Sequence, residues 1–375
     1  MKFVIPTQEF NYLISKCLNV VSAKAAVPIL SNLLIEASSG MIRVTATDLS
    51  VGIRCFAEVE IIEEGATTLP ARKLAQLIKE LTTPNIEIYC SPNHITEITA
   101  GTSKFRLLGM DKAPFPSLPD LGDVVKFTVK ERDLKEAIFR TAFAVSKEEA
   151  RYTLSGVWLS ISGGKAILAG TDGKRLARAI LPIENAPDLT GTYIIPIKAV
   201  DEILKNLREE GDVTLYLLED KIAVQTQDAL IVSKLLSGEF PDINRIIPLE
   251  ANKLISLHRE ELMTLLRQIA LFTSENNNVV RIVLENGEMS LGASANEVGE
   301  GKVSMPANYY GDRFEIAFNP SYFLDVLRHS KNETVSLGVS DPFTPGIVTD
   351  AEITSYAPEN LSPLFVLMPM RLKEV

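Results

Sequence analysis

The chain repeats one pattern three times at a spacing of about 125 residues, and this repeat restricts its fold more than any other feature. The copies begin at Phe3, Phe127 and Ile255, where FVIPTQEFNYLISKCLNVVS, FTVKERDLKEAIFRTAFAVS and ISLHREELMTLLRQIALFTS align without a gap. Apolar residues recur at helical spacing in each copy, which predicts an amphipathic helix after a short extended start. We therefore expect tandem copies of one fold.

The second half of each copy repeats as well. Alternating strand-like runs follow the first helix, and Pro70, Pro196 and Pro320 then each open a second helical run. Proline suits a first helical turn because its missing N–H would be unbonded there in any case. The strand runs have hairpin length, with no crossover helix between them, which indicates antiparallel pairing. We predict an α+β fold of three tandem similar domains, each with two helices packed on antiparallel sheet.

Two proline-rich connectors separate the copies, FPSLPD at 115–120 and GEFPDINRIIP at 238–248. Each ends just before a copy restarts, so we place the domains at 1–123, 124–250 and 251–375. A period of this length far exceeds that of solenoid repeats, and each domain can therefore hold its own core.

One turn differs between the copies. The middle copy carries AGTDGKRLAR from Ala169, where the first has TATDLSVGIR and the third has GASANEVGEG. Asp-Gly between extended segments is a strong hairpin signal, because glycine accepts the positive φ of a tight primed turn. The unrepeated letters Gly-Lys-Arg-Leu mark this turn as a candidate for function.

Composition limits the remaining possibilities. A hydrophobic content of 46% and a charged content of 23% are ordinary for a globular protein. No leader-like segment and no spanning apolar window are visible, so we expect a cytoplasmic protein. The three cysteines have no C-x-x-C spacing and there are only three histidines, so we expect neither a disulfide framework nor a zinc site, and no cofactor.

The net charge of −10 argues against a simple basic nucleic-acid binder, but its distribution is uneven. The six predicted helices together carry +6, which leaves −16 for the rest of the chain. If the helices share one face, that face can follow a phosphate backbone while the acidic remainder repels it. The alternative, that these are only solvated helix faces, stays open.

An enzyme is not expected. Asp48, Glu149 and Asp172 stand in predicted turns without a histidine, nucleophile or metal cluster beside them. No glycine-rich loop ending in Gly-Lys-Ser/Thr is present either. A scaffold that binds only proteins through its repeated domains remains as an alternative.

Six motifs occur in a characteristic order: MKF at the start, PILSNLL, RYTLSG, TDGKRLA, GEFPD and MPMRL. With them the chain resembles, over essentially all 375 residues, the bacterial DNA polymerase III beta subunit family, the DNA sliding clamps. The resemblance implies a DNA clamp fold, in which two chains close head to tail into a ring lined by twelve helices. It also implies a replication processivity factor that encircles duplex DNA independently of sequence.

The resemblance further implies partners and the residues that meet them. The partners are a second copy of the chain, duplex DNA, the DNA polymerase III catalytic subunit, an ATP-dependent clamp loader, and other repair and replication proteins with clamp-binding peptides. The expected DNA-facing residues are Lys24, Arg151, Tyr152 and Lys198, and the expected dimer contacts are Phe105, Leu271 and Phe272.

The family's partner-peptide pocket also transfers by position. Its apolar residues would take peptide anchors, and Arg175 and Arg245 would supply directional donors at the rim. Lys174 stands where histidine is common, Asn277 where a bulky residue can line the pocket, and Lys373 to Val375 extend past the usual last leucine. The expected pocket consists of Leu154, Thr171, Gly173, Lys174, Arg175, Leu176, Pro241, Arg245, Ile246, Asn319, Tyr322, Phe343, Val366, Leu367, Met368, Pro369, Met370, Arg371 and Leu372.

Overall fold

A computed structural model describes residues 1–22, 27–148, 150–183, 188–274, 278–295, 297–350 and 352–371. The chain forms two compact units, one of Met1–Lys135 with Lys198–Leu235 and one of Glu136–Ile197 with Leu236–Val375. The middle of the chain thus contributes to both units.

The described elements are helices and strands in the following order. The helices are α1 (Thr7–Leu18), α2 (Ala71–Glu80), α3 (Glu131–Thr141), α4 (Ile197–Asn206), α5 (Arg259–Ala270) and α6 (Pro320–Arg328). The strands are β1 (Lys2–Pro6), β2 (Asn32–Ser38), β3 (Met41–Thr47), β4 (Val51–Glu58), β5 (Glu60–Glu63), β6 (Gly65–Pro70), β7 (Asn85–Cys90), β8 (Ile95–Ala100), β9 (Ser103–Leu108), β10 (Lys126–Lys130), β11 (Gly156–Ser162), β12 (Lys165–Thr171), β13 (Arg175–Pro182), β14 (Gly191–Pro196), β15 (Asp212–Leu217), β16 (Lys221–Gln225), β17 (Ala229–Lys234), β18 (Lys253–His258), β19 (Val280–Glu285), β20 (Glu288–Ala295), β21 (Gly299–Pro306), β22 (Phe314–Phe318), β23 (Thr334–Val339), β24 (Gly346–Thr349) and β25 (Leu364–Leu367).

The first unit contains two sheets whose described pairings are antiparallel. One has the order β5-β1-β7-β8-β9 and the other β10-β15-β16-β17-β4-β3-β2-β6. Alternation in strands such as β8 buries every second residue, as a sheet with one covered face requires. Helix α1 packs on β3 and β4 and buries Phe10, Leu13, Ile14 and Cys17, which are the apolar positions of its repeat.

The second unit also contains two sheets. Their orders are β14-β11-β12-β13-β25-β24-β23-β18 and β21-β20-β19-β22. Helices α5 and α6 contact each other, and their apolar faces join one core that includes Leu262, Leu266, Phe323 and Leu327. The α+β class and the antiparallel sheets are therefore confirmed.

Backbone pairing crosses the predicted domain boundaries in both large sheets. Strand β17 pairs with β4, and β13 pairs with β25, so strands from different sequence repeats share one ladder. These ladders explain why the compact units divide the middle repeat between them. The boundaries 1–123, 124–250 and 251–375 remain a prediction.

The proline prediction is right at one helix of three. Pro320 is the first residue of α6, after Asn319, whose side chain accepts the N–H of Ser321 at 2.9 Å. Pro70 and Pro196 instead end β6 and β14, directly before their helices. Both strands are sheet edges, where the missing N–H of proline costs no ladder hydrogen bond.

Gly170 provides a test of the packing beneath the candidate turn. A Cβ built on this residue of β12 would meet the carbonyl oxygen of Thr141 and lie 3.2 Å from Cγ2 of Val145. We expect Gly170→Ala to destabilise the protein by roughly 1–3 kcal/mol, because backbone cannot yield as a side chain can. Thermal unfolding should show a lower melting temperature.

Gly292→Ala is the matched control, because its Cβ would find its nearest neighbour at 3.8 Å. An equal loss of stability in both variants would contradict the steric explanation for Gly170.

Candidate functional site

The candidate turn joins β12 and β13, whose antiparallel pairing ends at Thr171 and Leu176. The predicted hairpin is confirmed, but the tight primed turn is wrong. Only Gly173 has a positive φ, of 81°, among the described loop residues. Instead, Oδ1 of Asp172 accepts the N–H groups of Lys174 at 2.9 Å and Arg175 at 3.0 Å. The aspartate side chain therefore forms a wider Asx-type loop in place of a second left-handed residue.

Thr171 fixes the same loop from its other side. Its hydroxyl donates to the carbonyl oxygen of Arg175 at 2.6 Å and accepts the N–H of Gly173 at 3.1 Å. From outside the hairpin, Nη1 of Arg151 donates to the carbonyl oxygen of Asp172 at 2.7 Å. The loop from Asp172 to Arg175 is thus held by side-chain hydrogen bonds.

Arg175 occupies a different place from the one that the sequence predicts. Its side chain is only 10% exposed, and its guanidinium donates from Nε to Asp172 at 3.2 Å and from Nη1 to Asp325 at 2.6 Å. Nη2 donates to the carbonyl oxygen of Phe143 at 3.2 Å. The guanidinium carbon also lies 4.8 Å from the centre of the Tyr322 ring. Arg175 therefore crosslinks the loop to α6 and to the chain after α3, and its guanidinium is not a free donor at the rim of the pocket.

Arg245 fits the rim position better. Its side chain is 87% exposed and makes a 3.3 Å ion pair with Asp242. An exposed pair of this kind contributes little to stability. The guanidinium is consequently available to a ligand.

Strand β25 brings the C-terminal residues to the loop. Arg175 pairs with Leu367 and Leu176 with Val366, and the N–H of Met368 donates to the carbonyl oxygen of Lys174 at 3.1 Å. Val366 and Leu176 share one buried core with half-buried Ile246, whereas Leu367 belongs to the core against which Tyr322 packs. Met368 and Met370 are exposed.

The other predicted pocket residues lie at different distances from this centre. Asn319 caps α6. Leu154 is the last residue of a short 3₁₀ helix, and its carbonyl oxygen accepts the N–H of Ser146 at 2.9 Å. Phe343 is exposed in a loop that Asp341 closes by accepting two N–H groups at 2.8 Å. Pro241, Pro369 and Arg371 lie at the surface or partly exposed.

Three residues in the site were missed by the sequence prediction. Phe143 and His329 stack with ring centres 4.0 Å apart, and Asp325 holds Arg175. Burial lowers the pKa of His329, which hydrogen-bonds through Nδ1 to the carbonyl oxygen of Asp325 at 2.7 Å. Asp325 and Arg328 stand three residues apart on α6, a spacing that could have indicated a charged helix face.

Each expected DNA-facing cation that the structure describes forms an ion pair with a carboxylate. Lys198, at the start of α4, pairs with Asp48. Burial alone would raise the pKa of Asp48, but hydrogen bonds from Lys198 and from the N–H groups of Val51 and Ser50 outweigh it, so the pKa is lowered.

In the second unit, Arg151 pairs with Glu148 at 3.1 Å, and Tyr152 is exposed. The sequence-predicted residues Lys24, Glu149, Asn277 and Leu372 and the extension at 373–375 lie outside the described residues.

The expected dimer contacts lie next to two sheet edges. Phe105 is half-buried on β9, which ends the five-stranded sheet. Leu271 is 74% exposed directly after α5. Phe272 is half-buried, and its ring covers Gly301 on β21, the edge strand of the four-stranded sheet.

Metal binding and membrane insertion are two further functions to consider. Among the described residues, no group of three or more His, Cys, Asp or Glu side chains could hold a metal ion. In the same part of the chain, no helix is long and apolar enough to span a membrane.

The chain is similar to known proteins over its whole length. Family models for the N-terminal, central and C-terminal domains of the DNA polymerase III beta subunit match residues 1–119, 128–242 and 244–369. The beta sliding clamp of Chlamydia pneumoniae is 48% identical over 374 residues, covering 100% of both chains. That of Pseudomonas aeruginosa is 31% identical, covering 99% of this chain and 100% of its own.

Solved structures agree with this similarity. The DNA polymerase III beta subunit of Pseudomonas aeruginosa has a TM-score of 0.92 at 30% identity, covering 99% of this chain and 100% of that one. The same organism's sliding clamp bound to griselimycin has a TM-score of 0.93, with the same identity and coverage.

The half-buried imidazole of His329 predicts a pH dependence of stability. The folded pKa of His329 is below its ordinary value, so the unfolded chain binds more protons between the two values and stability falls as the pH drops below about 6.5. We expect the melting temperature of the wild type to fall between pH 7.5 and 5.5 by more than that of His329→Gln. The difference between the two proteins removes the contribution of other titrating groups. Equal losses would contradict the assignment.

Proposed function

The chain belongs to the DNA polymerase III beta subunit family, the bacterial DNA sliding clamps, and from this membership we propose how it works in replication. It acts as a processivity factor, a head-to-tail homodimeric ring that encircles duplex DNA and tethers the replicative polymerase. The observation that carries this conclusion is the match of all three domains, in order, along one chain. A protein-only scaffold is the alternative.

The mechanism is topological. A closed ring cannot leave a strand sideways, so it needs no contact with base edges to remain on DNA. Its contacts are with phosphate and water, and they are weak and salt-dependent because counterion release supplies most of their free energy. The ring has no catalytic activity of its own, and a separate ATP-dependent loader opens it. A cytoplasmic location follows from a role at the bacterial replication fork.

Retention on circular DNA tests this function directly. Clamp loaded on a nicked circle with its loader and ATP should remain bound through gel filtration and should be lost when the circle is linearised. A protein-only scaffold would show no difference between the two DNA forms, and that result would contradict the clamp function.

We propose that the ring closes through the two exposed edges at β9 and β21. An edge strand presents unpaired backbone N–H and C=O groups that can pair with another chain. Strand β9 exposes Lys104 and Arg106, and β21 exposes Glu300 beside Lys302, so Glu300 offers one carboxylate to the cations of the other edge. Because the edges lie on different sheets, the contact is head to tail, as a ring requires. Phe105, Leu271 and Phe272 would form its apolar part.

Charging the apolar part should separate the subunits. We expect Leu271→Glu and Phe272→Glu to sediment as monomers at low micromolar concentration, because a desolvated carboxylate without a partner is costly in an interface. Leu271 is the better site for this test, because its side chain is exposed in the single chain and a charge there does not disturb a folded core. Leu249→Glu is the control, since Leu249 is 87% exposed elsewhere on the chain. Dimers that persist in both Leu271 and Phe272 variants would disprove the interface.

We propose that the surface around the loop at 172–175 and the C-terminal residues binds linear peptides of partner proteins. Clamps from Pseudomonas aeruginosa and Bartonella birtlesii have been solved with griselimycin bound, so proteins of this fold do take a ligand. In this chain Met368 and Met370 are exposed, and half-buried Tyr322 packs against the core that contains Leu367. Methionine adapts its shape to different apolar anchors, which suits a surface shared by several partners.

The partners follow from this surface. They are the DNA polymerase III catalytic subunit, the clamp loader, and other repair and replication proteins that carry clamp-binding peptides. Arg245 at the rim would meet the polar part of such a peptide, and Arg175 would keep the loop in place beneath it.

The pocket is tested by removing the Arg175 side chain and the exposed C-terminal residues together. We expect Arg175→Ala combined with deletion of Met368 to Val375 to abolish binding of a polymerase-derived peptide in titration, while sedimentation still shows a dimer. Arg313→Ala, which removes an exposed ion-paired arginine of the same unit, should leave affinity unchanged. Unchanged peptide affinity in the combined variant would refute the pocket.

A further inference from the structure

The loop of the candidate peptide site has a second copy in the first unit, between β3 and β4. There the hydroxyl of Thr47 donates to the carbonyl oxygen of Val51 at 3.0 Å and accepts the N–H of Leu49 at 3.1 Å. Oδ1 of Asp48 accepts the N–H groups of Ser50 at 2.8 Å and Val51 at 2.7 Å. The loop of the candidate peptide site in the second unit contains the same four hydrogen bonds.

The strand beside each loop corresponds as well. The N–H of Lys234, at the end of β17, donates to the carbonyl oxygen of Ser50 at 2.9 Å. In the second unit the N–H of Met368 donates to the carbonyl oxygen of Lys174 at 3.1 Å. Each sheet also packs against a connector that begins with a Phe-Pro pair. The backbone frame of the proposed peptide surface therefore occurs twice in the chain.

A leucine stands in the first-unit loop where the second unit has a glycine. Leu49 has a φ of 75° and Gly173 a φ of 81°. Glycine accepts this left-handed backbone without strain, whereas a bulky side chain makes it costly. The Leu49 side chain is 50% exposed, so burial in a core does not offset the strain. A strained residue with an exposed apolar side chain indicates a contact outside the folded chain.

Two connector leucines extend the apolar surface beside this loop. Gly52 leaves a space above β4, and Cδ2 of Leu118 fills it, 2.5 Å from the position that a Cβ would take. Leu118 and Leu121 are both half-buried. They pack against a small core of Ala223, Leu230 and Val232. We call Leu49, Leu118 and Leu121 the first-unit surface.

The charges around the first-unit surface differ from those of the candidate peptide site. Counted from the Phe-Pro pair of each connector, Asp120 takes the place of Arg245. Asp120 and Asp123 are both exposed, against one exposed ammonium, that of Lys234. Exposed carboxylates beside apolar side chains favour a ligand that carries a cation next to its apolar anchor.

We propose that the first-unit surface is a second docking site for linear peptides, and that it selects a basic peptide with an apolar anchor. Leu49 and the connector leucines contact the anchor, and Asp120 and Asp123 pair with a lysine or arginine beside it. The inference rests on the proposed peptide function of the second unit, because the shared frame is what favours a peptide. A second copy of the chain is a poorer occupant, since the proposed dimer contact uses the edges at β9 and β21.

The test uses the full-length protein with the second-unit site saturated by unlabelled polymerase-derived peptide. A fluorescent hexapeptide of lysine, leucine and phenylalanine, KLKLFK, is then titrated, and we expect saturable binding of one peptide per chain. The glutamate version, ELELFE, should bind roughly tenfold more weakly. Leu49→Gly should weaken KLKLFK binding by roughly tenfold, as the loss of one buried apolar side chain requires. Its melting temperature should not fall, because glycine relieves the backbone strain.

The two carboxylates have a matched control. Asp120→Asn with Asp123→Asn should weaken KLKLFK binding by roughly threefold and reduce its salt dependence. Glu60→Gln with Asp212→Asn changes the net charge by the same amount at two exposed positions of the same unit, on β5 and β15. This control should bind KLKLFK like the wild type.

Several outcomes would overturn the second docking site. Wild-type protein that shows no saturable KLKLFK binding would do so, and so would Leu49→Gly with unchanged affinity. Equal binding of ELELFE would overturn the basic ligand class. If Leu49→Gly fails to fold, the aspartate double variant decides, because affinity equal to that of its control also overturns the proposal.

The proposed function of the second unit is judged separately. A polymerase-derived peptide that does not bind the wild type would reject the second-unit pocket, and KLKLFK titration without that peptide then decides the first-unit surface. Binding of the polymerase-derived peptide with no KLKLFK binding would keep the second-unit pocket and reject only the first-unit surface.

Discussion

The candidate peptide site depends on the backbone ladder between β13 and β25. This pairing sets Arg175 against Leu367 and Leu176 against Val366, although the two strands lie almost two hundred residues apart in sequence. Without it, the exposed C-terminal methionines would have no fixed relation to the loop at 172–175. The ladder also alternates the side chains, so that Val366 enters one core and Leu367 the other. One strand register thus shapes both walls beneath the proposed pocket.

Arg175 adds a second constraint, which depends on one particular side chain and not on the backbone. The ladder is made of backbone and would accept many sequences, but the guanidinium ties together Asp172, Phe143 and Asp325 through its directional donors. A lysine could satisfy only part of that geometry, because a single ammonium has no planar fork. This explains physically why a middle-repeat loop with Gly-Lys-Arg-Leu differs from its counterparts in the other two repeats. Asp325 of α6 and Phe143, just after α3, lie beside this loop and accept the donors of Arg175.

Features that depend on local sequence were predictable, and features that depend on distant partners were not. Helical periodicity predicted α1, α3 and α5, and Asp-Gly predicted the hairpin at 172–173. The prolines were predicted less well, because their place depends on whether a strand is a sheet edge, and edges exist only in the assembled sheet. Arg175 was assigned to the site but given the wrong role, since its partner Asp325 is 150 residues away. The ion pair of Lys16 with Asp228 was missed for the same reason, because Asp228 is 212 residues from Lys16.

The pairing of cations with carboxylates resolves an apparent conflict between charge and function. A chain with a net charge of −10 is poorly suited to hold DNA by bulk attraction. A sliding ring, however, gains nothing from tight contacts, because every strong ion pair with a phosphate would have to break at each step along the duplex. Lys16, Arg208, Lys198 and Arg151 all have an intramolecular carboxylate partner within reach. In the proposed ring, a phosphate contact at such a cation would exchange one ion pair for another, and the free energy along the DNA path would stay nearly level.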